Sequence, residues 1–304
     1  MPKAQKFTPD NVMMREKPDG TIPTKHQKLI LKDVMETSKI MQLAKYEEMT
    51  DKEKTFEYFA EGPGAYWVGE GQKIKTTKPK WLQVKMVAKK LAVILPVTRE
   101  YLTYDMATFF TEMQPKIAEA MQIKFDEAGI LNVDNPFPQS IDKSAIDANN
   151  VVEGDLSYDN LIDLEDKLSD NDFDVQGFIS KRQNRSSLRE ANKIENTVIT
   201  ERLYDRNANT IDGLPVADLK SKNMEKGTIY AGDFDFLRYG IPYGITYKIS
   251  EDAQLSTLTN EDGTPVNLFE QEMMALRVSM DVGFMVIKDE AFAKIKAVTP
   301  PSED

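Results

Sequence analysis

Fifty carboxylates, thirty-nine basic side chains and one histidine are the charged or titrating groups most available for chemistry in this 304-residue chain. Cysteine is absent, which removes thiolate nucleophiles, disulfides, iron–sulfur clusters and Cys-based zinc sites. His26 stands alone in a polar N-terminal stretch. A multi-histidine metal site is therefore impossible, and a Ser-His-Asp relay would have to recruit that one residue. The sequence has no G-x-x-x-x-G-K-[ST] phosphate loop and no G-x-G-x-x-G, H-E-x-x-H or G-x-S-x-G. Its nearest glycine cluster, Gly69-Glu70-Gly71-Gln72-Lys73, lacks the helix that should follow a phosphate loop. Asp170, Asp172 and Asp174 have the spacing of an incipient calcium loop. Val175 stands where that loop needs glycine, and Lys181 where it needs a bidentate glutamate, so the run reads as a solvated helix-to-strand connection. Carboxylates remain, and no general acid/base pair can be selected among fifty of them by sequence.

Charge is unevenly spread. Between Pro63 and Ala92 there are seven lysines (Lys73, Lys75, Lys78, Lys80, Lys85, Lys89, Lys90) and one acid, Glu70. That segment carries +6 on a chain whose net charge is −11. Such a basic stretch fits an acidic ligand, a nucleic acid, the acidic body of another copy, or a solvated lysine-rich hairpin. Tyr66 and Trp67 beside it are able to stack on bases, but they serve equally as packing anchors at the hairpin base. The sequence pI of about 4.9 argues against coating nucleic acid. There is no run of about 18 apolar residues and no apolar signal-peptide core, so neither a membrane span nor export is expected.

Several elements must position these groups. Residues 1 to about 28 read as an extended arm, followed by Leu29, Ile30, Val34, Ile40, Met41 and Leu43 at the spacing of one or two short amphipathic helices. Gly62-Pro63-Gly64 interrupts the chain. Residues 65–71 and 81–90 are expected to pair as a long hairpin, and Leu91 to Val97 to form a short buried strand with Pro96 at its end or on an edge. Met106, Phe110, Met113, Ile117, Met121, Phe125, Ala128 and Leu131 recur every three or four residues, which predicts a helix of about 40 Å. Pro115 lies inside it. Ser157 is placed to cap a helix carrying Leu161, Leu164 and Leu168. A strand over Val175–Ile179, a polar helix over Arg182–Ala191, a turn over Asn207–Asp212 and a strand from Gly213 complete a block, 136–241, with 20 acids and 13 bases. Ile245, Tyr247 and Ile249 alternate with polar residues, and Asn260–Gly263 reads as a turn. Alternation from Met274 to Phe284 predicts a strand about twice the usual length. A helix and a strand this long imply an elongated subunit that completes its burial against neighbours.

Six segments stand in order: Gly64–Gly71 (GAYWVGEG), Leu91–Leu102 (LAVILPVTREYL), Lys124–Asn132 (KFDEAGILN), Asp212–Val216 (DGLPV), Ala231–Phe236 (AGDFDF) and Phe269–Val278. Together they resemble the major capsid proteins of tailed bacteriophages, which share the Hong Kong 97-type fold with encapsulin shells. The likeness runs from about Asn11 to Ile295 and is closest to siphoviruses of Gram-positive, staphylococcal-type hosts.

The resemblance implies an α+β chain. Its parts would be an N-arm (1–48), an extended E-loop (63–92) and a P-domain with the spine helix (49–62, 93–135, 242–282). An A-domain (136–241, 283–296) and a tail (297–304) would complete it. It implies a shell of hexamers and pentamers in which the E-loop, with Trp67, Glu70, Lys73, Lys75, Lys78 and Lys80, lies over the next subunit. Asp105, Glu112, Glu119, Asp126 and Glu127 on the spine helix are the candidate acceptors. A P-loop with Asp252, Glu261 and Asp262 would meet its copies at local three-fold axes. No catalytic residue, metal or cofactor is implied. Implied partners are further copies of the chain, a separate scaffolding protein, a portal protein and double-stranded DNA held without sequence-specific contacts. The site of action would be the virion, assembled in the bacterial cytoplasm. An encapsulin-like compartment and a carboxylate-dependent hydrolase are the competing expectations.

Overall fold

The computed structural model describes residues 37–61, 73, 80–98, 106–195, 198–259 and 265–297. The first described helix, α1 (Lys39–Leu43), is capped by Ser38, whose hydroxyl accepts from the Met41 amide. Three strands follow: β1 (Lys45–Tyr46), β2 (Glu53–Glu61) and the 19-residue β3 (Lys80–Thr98). The spine helix α2 spans Met106–Leu131, the same 26 residues that the sequence period marks, with Pro115 inside. Asn132 takes φ 60° and ends it.

The middle block holds α3 (Ile141–Asp147), β4 (Val151–Glu153), α4 (Tyr158–Ser169) and β5 (Gly177–Ser180). Ser157 caps α4 as expected, and Leu161, Leu164 and Leu168 are fully buried. The expected polar helix divides into a 3-10 turn (Arg182–Asn184) and α5 (Arg185–Glu190). After these come β6 (Asn192–Glu195), β7 (Val198–Arg202), β8 (Tyr204–Asp205), β9 (Thr210–Ile211) and β10 (Leu214–Asp218). Asp212 and Gly213, at φ 46° and 79°, make the reversal between β9 and β10. The chain continues through β11 (Ile229–Gly232), β12 (Leu237–Gly240), β13 (Thr246–Ser250), β14 (Gln254–Thr259) and β15 (Pro265–Asn267). It finishes with β16 (Met273–Val286) and β17 (Phe292–Lys296).

Two sheets organise these strands. The first has the order β1-β12-β16-β3-β2, with β13 also paired to β16. The second has the order β4-β17-β11-β5-β10-β9-β8. α2 lays Ile117, Met121, Phe125 and Ala128 into the main core, where Phe125 meets Phe284 of β16 edge-on at 6.2 Å. Burying Ile117, Met121 and Phe125 contributes about 1.5–3 kcal/mol each. A Cβ at Gly129 would stand 2.4 Å from Ile40 Cδ1, so glycine lets α2 approach α1 there without displacing the buried Ile40 side chain.

Residues 80–87 pair with β2, and the segment expected to pair with them, 65–71, lies outside the described residues. Two expectations change. Leu91–Val97 is not a separate buried strand but the second half of β3, which passes from β2 to β16 at Ala88. Its residues alternate between half-buried and exposed because only one face meets the core; Ile94 is 49% exposed. Pro96 sits opposite Ala275 in this half, where among the described residues only the β16 edge of β3 is paired; the Ala88 amide points to the other edge, as position 96 does, so the missing N–H breaks no described ladder bond. Finally, Leu237–Gly240 and Gly283–Val286 belong by register to the sheet of the long strands rather than to the acidic block.

Candidate functional site

The described part of the basic segment, Lys73 apart, lies in β3, which pairs first with β2 and then with β16. Here the strand period sets charged side chains on one face: Lys85 contacts Glu53 at 2.5 Å, and Gln83 donates to Glu57 at 2.7 Å. The Lys85 hydrogen bond and charge hold the Glu53 carboxyl below its usual range. Lys73 is exposed. Lys80 opens β3 opposite Glu61. Trp67, Glu70, Lys75 and Lys78 lie outside the described residues. At the hairpin root, Lys89, Lys90 and Lys124 line a hollow of about 250 Å³ beside Phe125 and Phe137.

The candidate acidic face divides. Glu112 and Glu119 are exposed on α2, and Glu119 makes a 3.4 Å ion pair with Lys220. Asp105 lies outside the described residues. Asp126 and Glu127 are not surface acceptors: they are 1% and 4% exposed and are engaged within their own chain. Asp126 accepts from Ser38 Oγ (2.7 Å), the Lys39 amide (3.0 Å) and the Ile40 amide (3.2 Å). Burial pushes its carboxyl above the ordinary aspartate range, and these hydrogen bonds oppose the shift. Glu127 accepts from Ser221 Oγ (2.7 Å) and Asn223 Nδ2 (3.0 Å), tying down the loop after β10.

The reason is that α2 is buried on more than one side. Ala118, Gln122 and Asp126, four residues apart, form a second stripe beneath α1. Apolar periodicity cannot reveal a stripe in which Gln122 and Asp126 are polar. The acid at 126 and its donors at 38–40 have no local sequence signal at all.

Of the proposed three-fold residues, Asp252 is exposed in the bend between β13 and β14. Glu261 and Asp262 lie outside the described residues. An open cleft of about 750 Å³ separates α1 and α2 from the end of β10, lined by Lys39, Gln122, Arg182, Asp218 and Lys220 among others. Its charges are mixed, and Asp218 is held by Arg185. Among the described residues, no group of three His, Cys, Asp or Glu side chains is arranged to hold a metal ion.

The long helix against a long strand, the basic strand β3 in the same sheet and the second mixed sheet agree with one family. The sequence model of the phage capsid family matches residues 19–297. The chain belongs to the phage capsid family. It is 57% identical over 294 residues to the major capsid protein of Staphylococcus phage 80alpha, covering 96% of this chain and 90% of that one. A probable major capsid protein of Mycobacterium phage L5 is 24% identical over 77% of this chain and 76% of its own. Solved structures from Mycobacterium phage Adephagia (TM-score 0.70, 20% identity) and Microbacterium phage Oxtober96 (TM-score 0.69, 21% identity) share the fold. They cover 87% and 86% of this chain, and 91% of each is matched. The capsid protein is thus a major capsid protein of a tailed phage, with the Hong Kong 97-type fold that its sequence resembles.

Proposed function

We propose that this capsid protein assembles with copies of itself, through hexamers and pentamers, into a closed icosahedral shell around double-stranded DNA. The observation that carries this reading is the family match over residues 19–297, which takes in both sheets and the spine helix. The protein acts by assembling, not by turning over a substrate. As a phage major capsid protein it is part of the virion, and assembly takes place in the host bacterial cytoplasm with a separate scaffolding protein and a portal protein.

The basic hairpin is the reaching element. Lys73, Lys75, Lys78 and Lys80 lie on an acidic surface of the next copy, for which Glu112 and Glu119 are the exposed members of α2. Asp126 and Glu127 take no part in that contact, since their carboxylates are already engaged. Each exposed pair contributes only about 0–1 kcal/mol, and repetition around a closed shell multiplies it. The net charge of −11 suits an inner surface that must hold DNA without gripping its phosphates.

Negative-stain microscopy of the full-length protein, alone and with a candidate scaffolding protein, tests the reading. Closed particles of uniform size are expected. A protein that stays a small oligomer under both conditions would refute it.

A further inference from the structure

The turn between β15 and β16 holds an aromatic side chain out of the molecule on a fixed base. Leu268 is fully buried beneath it in a small cluster with Val266 and Ala275. The Met273 amide donates to Leu268 O at 2.9 Å, and the Phe269 amide donates to Asn267 Oδ1 at 3.2 Å. Glu272 takes φ 49° in closing the turn. Phe269 itself is 74% exposed. Exposed Glu270 and Glu272 follow it in the same turn. Exposed Glu251 and Asp252 stand beside the same base, where Leu268 N–H donates to Ala253 O at 3.1 Å. The tip is therefore an apolar knob in an acidic collar.

A matching surface crosses the outer face of the first sheet. Lys248 of β13 lies opposite Arg277 of β16, and Arg277 lies opposite Ile94 of β3. All three are exposed, and Ile94 is 49% exposed. Two like charges directly opposite one another weaken an antiparallel pair. Among the described residues, no acid forms an ion pair with either cation. A cation pair beside an exposed isoleucine breaks the rules a sheet would follow for its own stability, and such departures collect at functional surfaces. The row is four residues from Met273 at the base of the tip, about 13 Å along β16.

We infer that Phe269, with Glu270 and Glu272, seats on the Ile94–Arg277–Lys248 row of an adjacent copy. This contact rests on the proposed shell-forming role and names the residues that make one of its joints. The aromatic ring covers Ile94 and stacks against the Arg277 guanidinium, while the acids meet the two cations. The two surfaces differ, so the joint is head-to-tail, and a small number of copies can close it into a ring around a local axis. Tips meeting their own equivalents would instead bring Asp252, Glu270 and Glu272 of every copy against the same charges.

The natural chain has no cysteine, so introduced thiols report this contact alone. Phe269→Cys and Ile94→Cys, each in the full-length protein, are co-expressed, assembled together and treated with a mild oxidant. Covalent dimers on a non-reducing gel are expected from the mixture and from neither variant alone. In a second arm, Lys248→Glu with Arg277→Glu abolishes assembly at an unchanged melting temperature. Adding Glu270→Lys and Glu272→Lys to the same chain restores it. Absence of the mixed dimer, or normal assembly of the Lys248→Glu/Arg277→Glu variant, overturns the contact. A parent protein that forms no particles under the microscope overturns the shell reading instead, and the mixed dimer still decides the contact in whatever oligomer forms.

Discussion

The Asp126 carboxylate, on the spine helix, accepts a 2.7 Å hydrogen bond from the Ser38 hydroxyl, 88 residues earlier in the chain. The same carboxylate takes the Lys39 and Ile40 amides, which are free donors at the start of α1. One buried acid thus completes the cap of a helix on a distant segment and fixes where α1 sits against α2. That use is structural, and it removes Asp126 from the surface available to a neighbour.

Replacing Asp126 with alanine strands those donors in a buried site. A loss of about 2–4 kcal/mol in subunit stability is expected by urea denaturation. Hydrogen exchange should rise first at the Lys39 and Ile40 amides. Unchanged protection there would mean that the cap does not hold α1.

Glu165 of α4 supplies a pH dependence. Burial, with the neighbouring charges of Asp212 and Asp166, raises its carboxyl to about 7. Its folded value lies above its unfolded one, so the stabilising contribution is complete below about 4.3 and is lost as pH rises through about 7. Glu165→Gln should therefore gain about 1 kcal/mol at pH 8, a figure already reduced for solvent screening, and nothing near pH 4. Denaturation midpoints of both proteins across that range check the sign.

Leu276 is 1% exposed on the core face of β16. Leu276→Asp would bury an unpaired carboxylate at a cost of several kcal/mol, about 4 or more, and should yield unfolded, insoluble protein. A soluble variant with a native circular-dichroism spectrum would contradict the burial of that face.

Changing Lys73, Lys75, Lys78 and Lys80 together to glutamate tests the hairpin. Subunits should keep their melting temperature while particles disappear. Assembly of normal shells would rule out an electrostatic role for the hairpin. Raising salt on the parent protein should weaken assembly in the same direction, because exposed pairs are screened.

The sequence by itself determined the long elements. Apolar residues every three or four positions from Met106 to Leu131, and every second position from Met274 to Phe284, mark α2 and β16, although in β16 the other face is also buried at Ala275, Ser279 and Gly283. Ser157 and Leu161 likewise declared α4 locally. The six short motifs determined the family, since their order and spacing are properties of the chain alone.

Only the tertiary structure decided what pairs with what. β3 takes β2 along its first half and β16 along its second, a choice made by register between segments far apart in sequence. Nor did the residue type at 126 or 127 distinguish a surface charge from a buried acceptor, because the donors at 38–40 and 221–223 arrive only on folding. The Lys248–Arg277–Ile94 row is invisible for the same reason: three strands contribute one residue each, and their adjacency exists only in the sheet. Local periodicity records burial, whereas the partner of a polar group is a long-range fact that no window of sequence contains.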